Sequence, residues 1–133
     1  MNALQILHDK KIRPSGLRLK ILDYILNHKT HPTIDEIYEA LIEDNPTLSK
    51  TTVYNTTKVL FENGVVKQVA IEGQPMRYDG DIKMHGHSFC RMCNNVYDVE
   101  LLEEVKADFN GFTVEDTQVS YSGICKNCNT KLN

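Results

Sequence analysis

The segment His85-Gly86-His87-Ser88-Phe89-Cys90-Arg91-Met92-Cys93 gathers two histidines and two cysteines into nine positions. A second cysteine pair, Cys125 and Cys128, lies near the C-terminus. Imidazole nitrogen and thiolate sulfur are common protein ligands of transition metals. In each C-x-x-C the two intervening residues let both thiolates reach one ion. Four thiolates suit tetrahedral Zn²⁺ and leave no coordination position open, as in structural sites. Cys90, Cys93, Cys125 and Cys128 are therefore expected to hold a structural zinc. The competing reading is a redox dithiol, which sits at a helix N-terminus after a strand and needs only one pair.

The histidines pose a separate question. His85 and His87 alternate along an expected strand, so both face the same way. One ion cannot easily take both imidazoles and all four thiolates. If the zinc is bound by cysteine alone, two neutral imidazoles on one face make half of another metal site. Asp79, Asp81, Asp98 and Glu100 are the carboxylates that could complete it. The plainer reading makes them ordinary surface or core histidines. A zinc-dependent hydrolytic enzyme is the functional rival. The chain lacks H-E-x-x-H and H-x-x-E-H, and no H-x-E precedes the first C-x-x-C.

These side chains need elements to position them. Residues 2–11 read as a helix with Leu4, Ile6 and Leu7 on its apolar side, broken by Arg13-Pro14-Ser15-Gly16. Ser15 caps a second helix to about Asn27, striped by Leu19, Leu22, Ile25 and Leu26. Thr33 and Glu36 form a capping box for a third helix, which Asn45-Pro46 ends. Ser49 caps a fourth, closed by Gly64. That fourth helix carries four threonines, which cost helix propensity. Val53, Thr57 and Leu60 fall on its core side; Lys50, Thr51, Tyr54, Asn55 and Lys58 fall elsewhere. Strands at 65–71 and 76–78, joined by Glu72-Gly73, complete the pattern of a winged helix.

The fourth helix of a winged helix enters the DNA major groove. Asn55 could pair with an adenine edge, and Tyr54 could meet a thymine methyl or a phosphate. Lys50, Lys58 and Lys67 could contact phosphates. Arg18, Ser49 and Thr51 complete the candidate DNA-contacting set. The bland alternative is a small helical domain whose threonine-rich helix merely faces water.

Asp79-Gly80-Asp81 reads as the boundary between domains at 1–78 and 79–133. In the second, 82–89 and 95–99 are strand candidates, 101–110 a helix and 112–121 another strand. Such a small α/β unit needs staples or a partner chain. The fold class expected is α+β, a winged helix followed by a small α/β domain with structural zinc.

Composition narrows the setting. The 133 residues carry a net charge of −3, which does not by itself advertise a nucleic-acid partner. Residues 1–77 sum to +1 and residues 78–133 to −4. Lys10, Lys11, Arg13, Arg18 and Lys20 lie close together, a weak basic signal. No run is apolar and long enough to span a bilayer, and the N-terminus lacks a basic-then-apolar order. A cytoplasmic protein is expected, and in a reducing compartment paired cysteines argue for metal rather than disulfides.

Taken together, Ser49-x-x-Thr52-Val53-Tyr54, His85-x-His87-x-x-Cys90-x-x-Cys93 and the terminal C-x-x-C resemble the ferric uptake regulator family over nearly the whole chain. Within it the chain is most similar to the peroxide-sensing repressors. The resemblance implies a homodimer joined through the second domain and bound to a palindromic operator in double-stranded DNA. It implies zinc at the four cysteines and a regulatory Fe²⁺ or Mn²⁺ held by three histidines and two carboxylates. His85 and His87 match the paired histidines. Asp79 matches the carboxylate six residues before them, with Asp81 as its near neighbour, and Asp98 the carboxylate five after Cys93. His31 matches the third histidine, ahead of the third helix, so that one ion would tie the two domains together.

Aspartate at position 98, where iron sensors carry glutamate, implies peroxide as the signal. Lys83, Met84, Gly86 and Ser122 stand where iron sensors carry extra ligands. The implied chemistry is reaction of bound Fe²⁺ with peroxide, oxidation of His31 or His85, and release of DNA. An iron- or zinc-responsive repressor of the same family is the alternative, and an enzyme the remote one. Asn55 and Thr57 depart from common family residues and leave the operator sequence open. His8 and His28 match no ligand.

Overall fold

The computed structural model describes residues 2–132. The chain divides into two compact units after Ile82, four residues later than the boundary expected at Tyr78. The first unit keeps Asp79 as the last residue of a strand. It also keeps Gly80, which lies so close to helix residue Leu26 that an added Cβ would meet the Leu26 Cδ2 at 3.0 Å.

The first unit contains α1 (Ala3–Asp9), α2 (Gly16–Asn27), α3 (Ile34–Leu41), α4 (Lys50–Glu62), β1 (Lys67–Val69) and β2 (Arg77–Asp79). Each helix begins where a side-chain oxygen accepts an otherwise orphaned amide. Asn2, Ser15, Thr33 and Ser49 do this for Gln5, Arg18, Glu36 and Thr52 respectively. Gly64 follows α4 with φ +71°, a conformation that costs other residues steric strain. β1 and β2 pair antiparallel, with Lys67 opposite Asp79 and Val69 opposite Arg77. Leu7, Ile21, Leu22, Ile25, Ile37, Val53 and Leu60 centre the core. Leu4, expected on the apolar side of α1, is instead exposed.

The threonines of α4 divide by role. Thr57 is fully buried and Thr56 nearly so. The Thr57 hydroxyl donates to the Tyr54 carbonyl at 2.9 Å, which removes the cost of burying it. Thr51, Tyr54, Asn55 and Lys58 are exposed. Their spacing of three, four and seven residues puts them in one stripe along the helix.

The second unit contains β3 (Gly86–Cys90), β4 (Val96–Val99), β5 (Val119–Gly123) and α5 (Lys126–Leu132). The sheet order is β4-β3-β5, with β4 antiparallel and β5 parallel to β3. Residues 101–110 form no helix, contrary to the sequence expectation, and only the end of the 112–121 segment is strand. Leu102 is 89% exposed and Phe112 75%, so this stretch packs little of its apolar surface within the chain. A ten-residue helix is marginal without such packing. Among the described residues no helix is long and apolar enough to cross a membrane.

Ser49→Ala should lower the stability of the first unit by about 1 kcal/mol through loss of the α4 cap, and Ser49→Asp should largely restore it. Urea unfolding followed by circular dichroism reads this out. An unmoved midpoint in Ser49→Ala would show the cap to be idle.

Candidate metal centres and DNA-facing helix

The four cysteines converge. Cys90 ends β3, Cys93 follows in the turn to β4, Cys125 follows β5, and Cys128 lies in α5. The parallel pairing of β3 with β5 sets Cys90 opposite Gly123, which delivers the second knuckle to the first. One sulfur from each residue lies within 4.8 Å of the others, and Cys93 Sγ is 3.9 Å from Cys125 Sγ. Tetrahedral Zn²⁺ with bonds of about 2.3 Å spaces its sulfurs about 3.8 Å apart. All four are free thiols rather than disulfides. Cys125–Cys128 does sit at a helix start after a strand, the redox arrangement, but the convergence of the other pair on it argues for metal.

The electrostatics agree. Backbone amides of Cys125 and Cys93 hold the Cys90 thiol down at about 6; the Cys125 amide lies 3.4 Å from its sulfur. Cys128, hydrogen-bonded to Cys125 and then penalised by burial, is pushed up to about 12. Four adjacent thiolates cannot all ionise on their own. A divalent cation removes that conflict, because a coordinating thiol is deprotonated outright. The four cysteines suit a structural zinc, which would pin β3, β5 and α5 in a unit with little core.

The remaining candidate ligands form a cluster inside each unit. In the first, His31 Nε2 lies 3.4 Å from Asp79 Oδ2, and both residues are buried. The pair is built by β2. Thr33 bridges Arg77, Tyr78 N–H donates to the Pro32 carbonyl at 2.9 Å, and Arg77 Nη1 donates to the His31 carbonyl at 3.2 Å. These bonds hold His31 at φ +58°, a left-handed conformation uncommon outside glycine. Arg77 also faces the Glu36 carboxylate at 3.7 Å. The sequence reading did not single out Arg77; its position two residues before Asp79, on the same face of a strand, was the available signal. Asp81, the alternative ligand, is exposed and donates its amide to Asp79 Oδ1 at 2.9 Å. That bond orients Asp79 toward His31.

In the second unit, the antiparallel register places His87 opposite Asp98. His85, just before β3, shares the face of His87. Asp98 Oδ1 lies 3.2 Å from His85 Nε2 and 3.5 Å from His87 Nε2, and the two Nε2 atoms are 3.0 Å apart. The Lys83 carbonyl, 2.7 Å from His85 Nδ1, only accepts, so Nδ1 carries the hydrogen. In the neutral ring Nε2 is then a lone pair aimed at His87 and Asp98. Neighbouring nitrogens on one ion with bonds of about 2.1 Å would be about 3 Å apart. Imidazoles with carboxylates suit Fe²⁺ or Mn²⁺, as thiolates suit zinc.

The DNA-contact candidates also sort by what they touch. Ser49 is committed to capping α4. Lys50 Nζ lies 3.2 Å from Asp35 Oδ1 and 5.5 Å from the centre of the Tyr38 ring. Arg18 is half-buried and donates to the Arg13 carbonyl at 2.8 Å. Lys67 is half-buried on β1. Thr51, Tyr54, Asn55 and Lys58 remain as the exposed stripe of α4.

Comparison with known proteins places this architecture. The model of the Ferric uptake regulator family matches residues 9–122. The peroxide operon regulator of Bacillus subtilis is 33% identical over 136 residues, covering 98% of this chain and 94% of that protein. A solved structure of the Campylobacter jejuni peroxide stress regulator is similar with a TM-score of 0.67 at 26% identity, over 96% of this chain and all of that one. The structure of PerR from Streptococcus pyogenes, described for peroxide sensing and gene regulation, gives a TM-score of 0.56 at 28% identity, over 96% and 94%. This chain belongs to the ferric uptake regulator family.

Proposed function

We propose that the chain is a metal-dependent, DNA-binding transcriptional repressor of the cytoplasm that senses hydrogen peroxide. It works as a homodimer on a palindromic operator and is not an enzyme. The observation that carries the sensing function is the imidazole–carboxylate cluster formed by His85, His87 and Asp98. The similarity to a peroxide operon regulator supports the choice of signal.

One regulatory Fe²⁺ or Mn²⁺ would take ligands from both units: His31 and Asp79 from the first, His85, His87 and Asp98 from the second. Each half is supported by contacts within its own unit. Closing five ligands on one ion fixes the angle between the units and thus the spacing of the two α4 helices in a dimer. Half-site geometry makes that spacing decisive for binding. Moving a population from mostly open to mostly closed needs about 5.5 kcal/mol of preference for the closed form.

On DNA, Asn55 and Tyr54 would read bases while Lys58, Lys67 and Arg18 meet phosphates. Thr51 shares the same exposed stripe. Lys50 would have to leave Asp35 to reach a phosphate, which couples its contribution to the start of α3. Ser49 acts through the cap.

Fe²⁺ held by these residues would supply the redox chemistry that activates hydrogen peroxide; one peroxide oxygen would end on a ring carbon of His31 or His85, and the other would leave as water with the displaced ring hydrogen. Asp98 would share the ion with both imidazoles of its cluster, and the Lys83 carbonyl fixes the His85 ring. Oxidation of the imidazole carbon removes a good ligand, so the units part and the operator is released. Mn²⁺ would hold the units together without reacting.

Treatment with Fe²⁺ and then peroxide should add one oxygen to a peptide holding His31 or His85, seen by peptide mass mapping. If iron is bound and no such peptide forms, the iron-responsive reading replaces this one. Asp98→Ala should abolish Mn²⁺-dependent operator binding while the protein retains its zinc. Cys90→Ser should lose zinc and the fold of the second unit, read by metal analysis and circular dichroism. Equal damage from the two variants would contradict separate structural and regulatory sites.

A further inference from the structure

The zinc knuckle contains a contact that ligation alone does not require. The Tyr97 hydroxyl, on β4, lies 3.8 Å from Cys93 Sγ, within hydrogen-bonding reach of sulfur. The Asn95 side-chain Nδ2 lies 3.5 Å from the same hydroxyl oxygen. An amide nitrogen only donates, so Asn95 occupies a lone pair of that oxygen and leaves the hydroxyl proton for another acceptor. A zinc-bound thiolate carries no proton and only accepts. Both ends of the contact therefore set one direction, with Tyr97 donating and Cys93 accepting, and the hydroxyl also faces the Cys125 sulfur.

The position of Cys93 gives the contact its use. Cys90 and Cys128 are buried and Cys125 half-buried, whereas Cys93 is exposed. It is the one residue of the four that is exposed to solvent. Thiolate charge drives nucleophilic attack, and a hydrogen bond draws charge away from the sulfur.

We propose that Tyr97 is a positioning residue of the zinc site, whose hydroxyl donates to the Cys93 thiolate, orients it on the ion and lowers its reactivity toward electrophiles. Cys90, Cys125 and Cys128 are at least partly covered by the fold, and the hydrogen bond tempers the exposed Cys93. The zinc staple therefore outlasts the oxidant that the histidine cluster is proposed to detect.

The test uses the full-length protein. With Co²⁺ in the four-cysteine site, Tyr97→Phe should move the sulfur-to-cobalt charge-transfer band to lower energy, because an unbonded thiolate is more electron-rich. With Zn²⁺ in place, N-ethylmaleimide should alkylate Cys93 roughly tenfold faster in Tyr97→Phe, since outer hydrogen-bond partners of metal ligands commonly have effects of about that size or larger. Peptide mass mapping assigns the alkylated cysteine. Sulfur bonds to the alkene carbon of the reagent, and water supplies the proton to the adjacent carbon. Asn95→Ala, which keeps the phenol but removes its directing donor, should shift both readouts the same way and less. A Tyr97→Phe protein with an unmoved band and unchanged Cys93 rate overturns the proposal. Equal acceleration at all four cysteines also overturns it, because that signals a loosened unit rather than a lost hydrogen bond.

Discussion

Each unit of this chain sets an imidazole against a carboxylate, and the proposed regulation depends on those two pairings. In the first unit the bridge between Thr33 and Arg77 brings His31 beside Asp79. In the second the β3–β4 register brings His87 opposite Asp98. Both use backbone pairing, which sets the direction in which each side chain leaves the strand. The left-handed backbone at His31 shows that the first pairing outweighs a local preference, at an expense of order 1–3 kcal/mol.

The cysteine site answers a different physical need. The second unit is small, and between β4 and β5 it leaves Leu102, Val105, Phe109 and Phe112 exposed. A unit with so little apolar surface buried within the chain needs a staple, a partner chain or both. Zinc would supply a staple, and the thiolate set separates it chemically from the imidazole–carboxylate set. One ion can then be permanent and the other exchangeable, because softness of the ligands sorts the metals.

What could be read from the residues alone followed the range of the interaction. The caps at Ser15, Thr33 and Ser49 are local, and each proved to accept the amide three residues on. The convergence of Cys90, Cys93, Cys125 and Cys128 was legible because metal ligation imposes spacing on sequence. The helix expected over 101–110 did not form, since helical period promises burial only where something lies opposite to receive it. α5 was missed because Lys126–Leu132 is polar, and its position is set by Cys128 rather than by an apolar stripe. Arg77 was missed because its role is to hold the backbone of His31, a residue 46 positions away.

The proposed regulation requires a single ion to take imidazoles from both units. Pulsed electron paramagnetic resonance of Mn²⁺-loaded protein, with ¹⁵N-labelled histidine, counts the coordinated imidazoles directly. Three are expected in the unaltered protein and two in His31→Ala, with zinc retained in both. Two imidazoles in each protein would confine the ion to the second unit and end the case for metal-controlled coupling between the units.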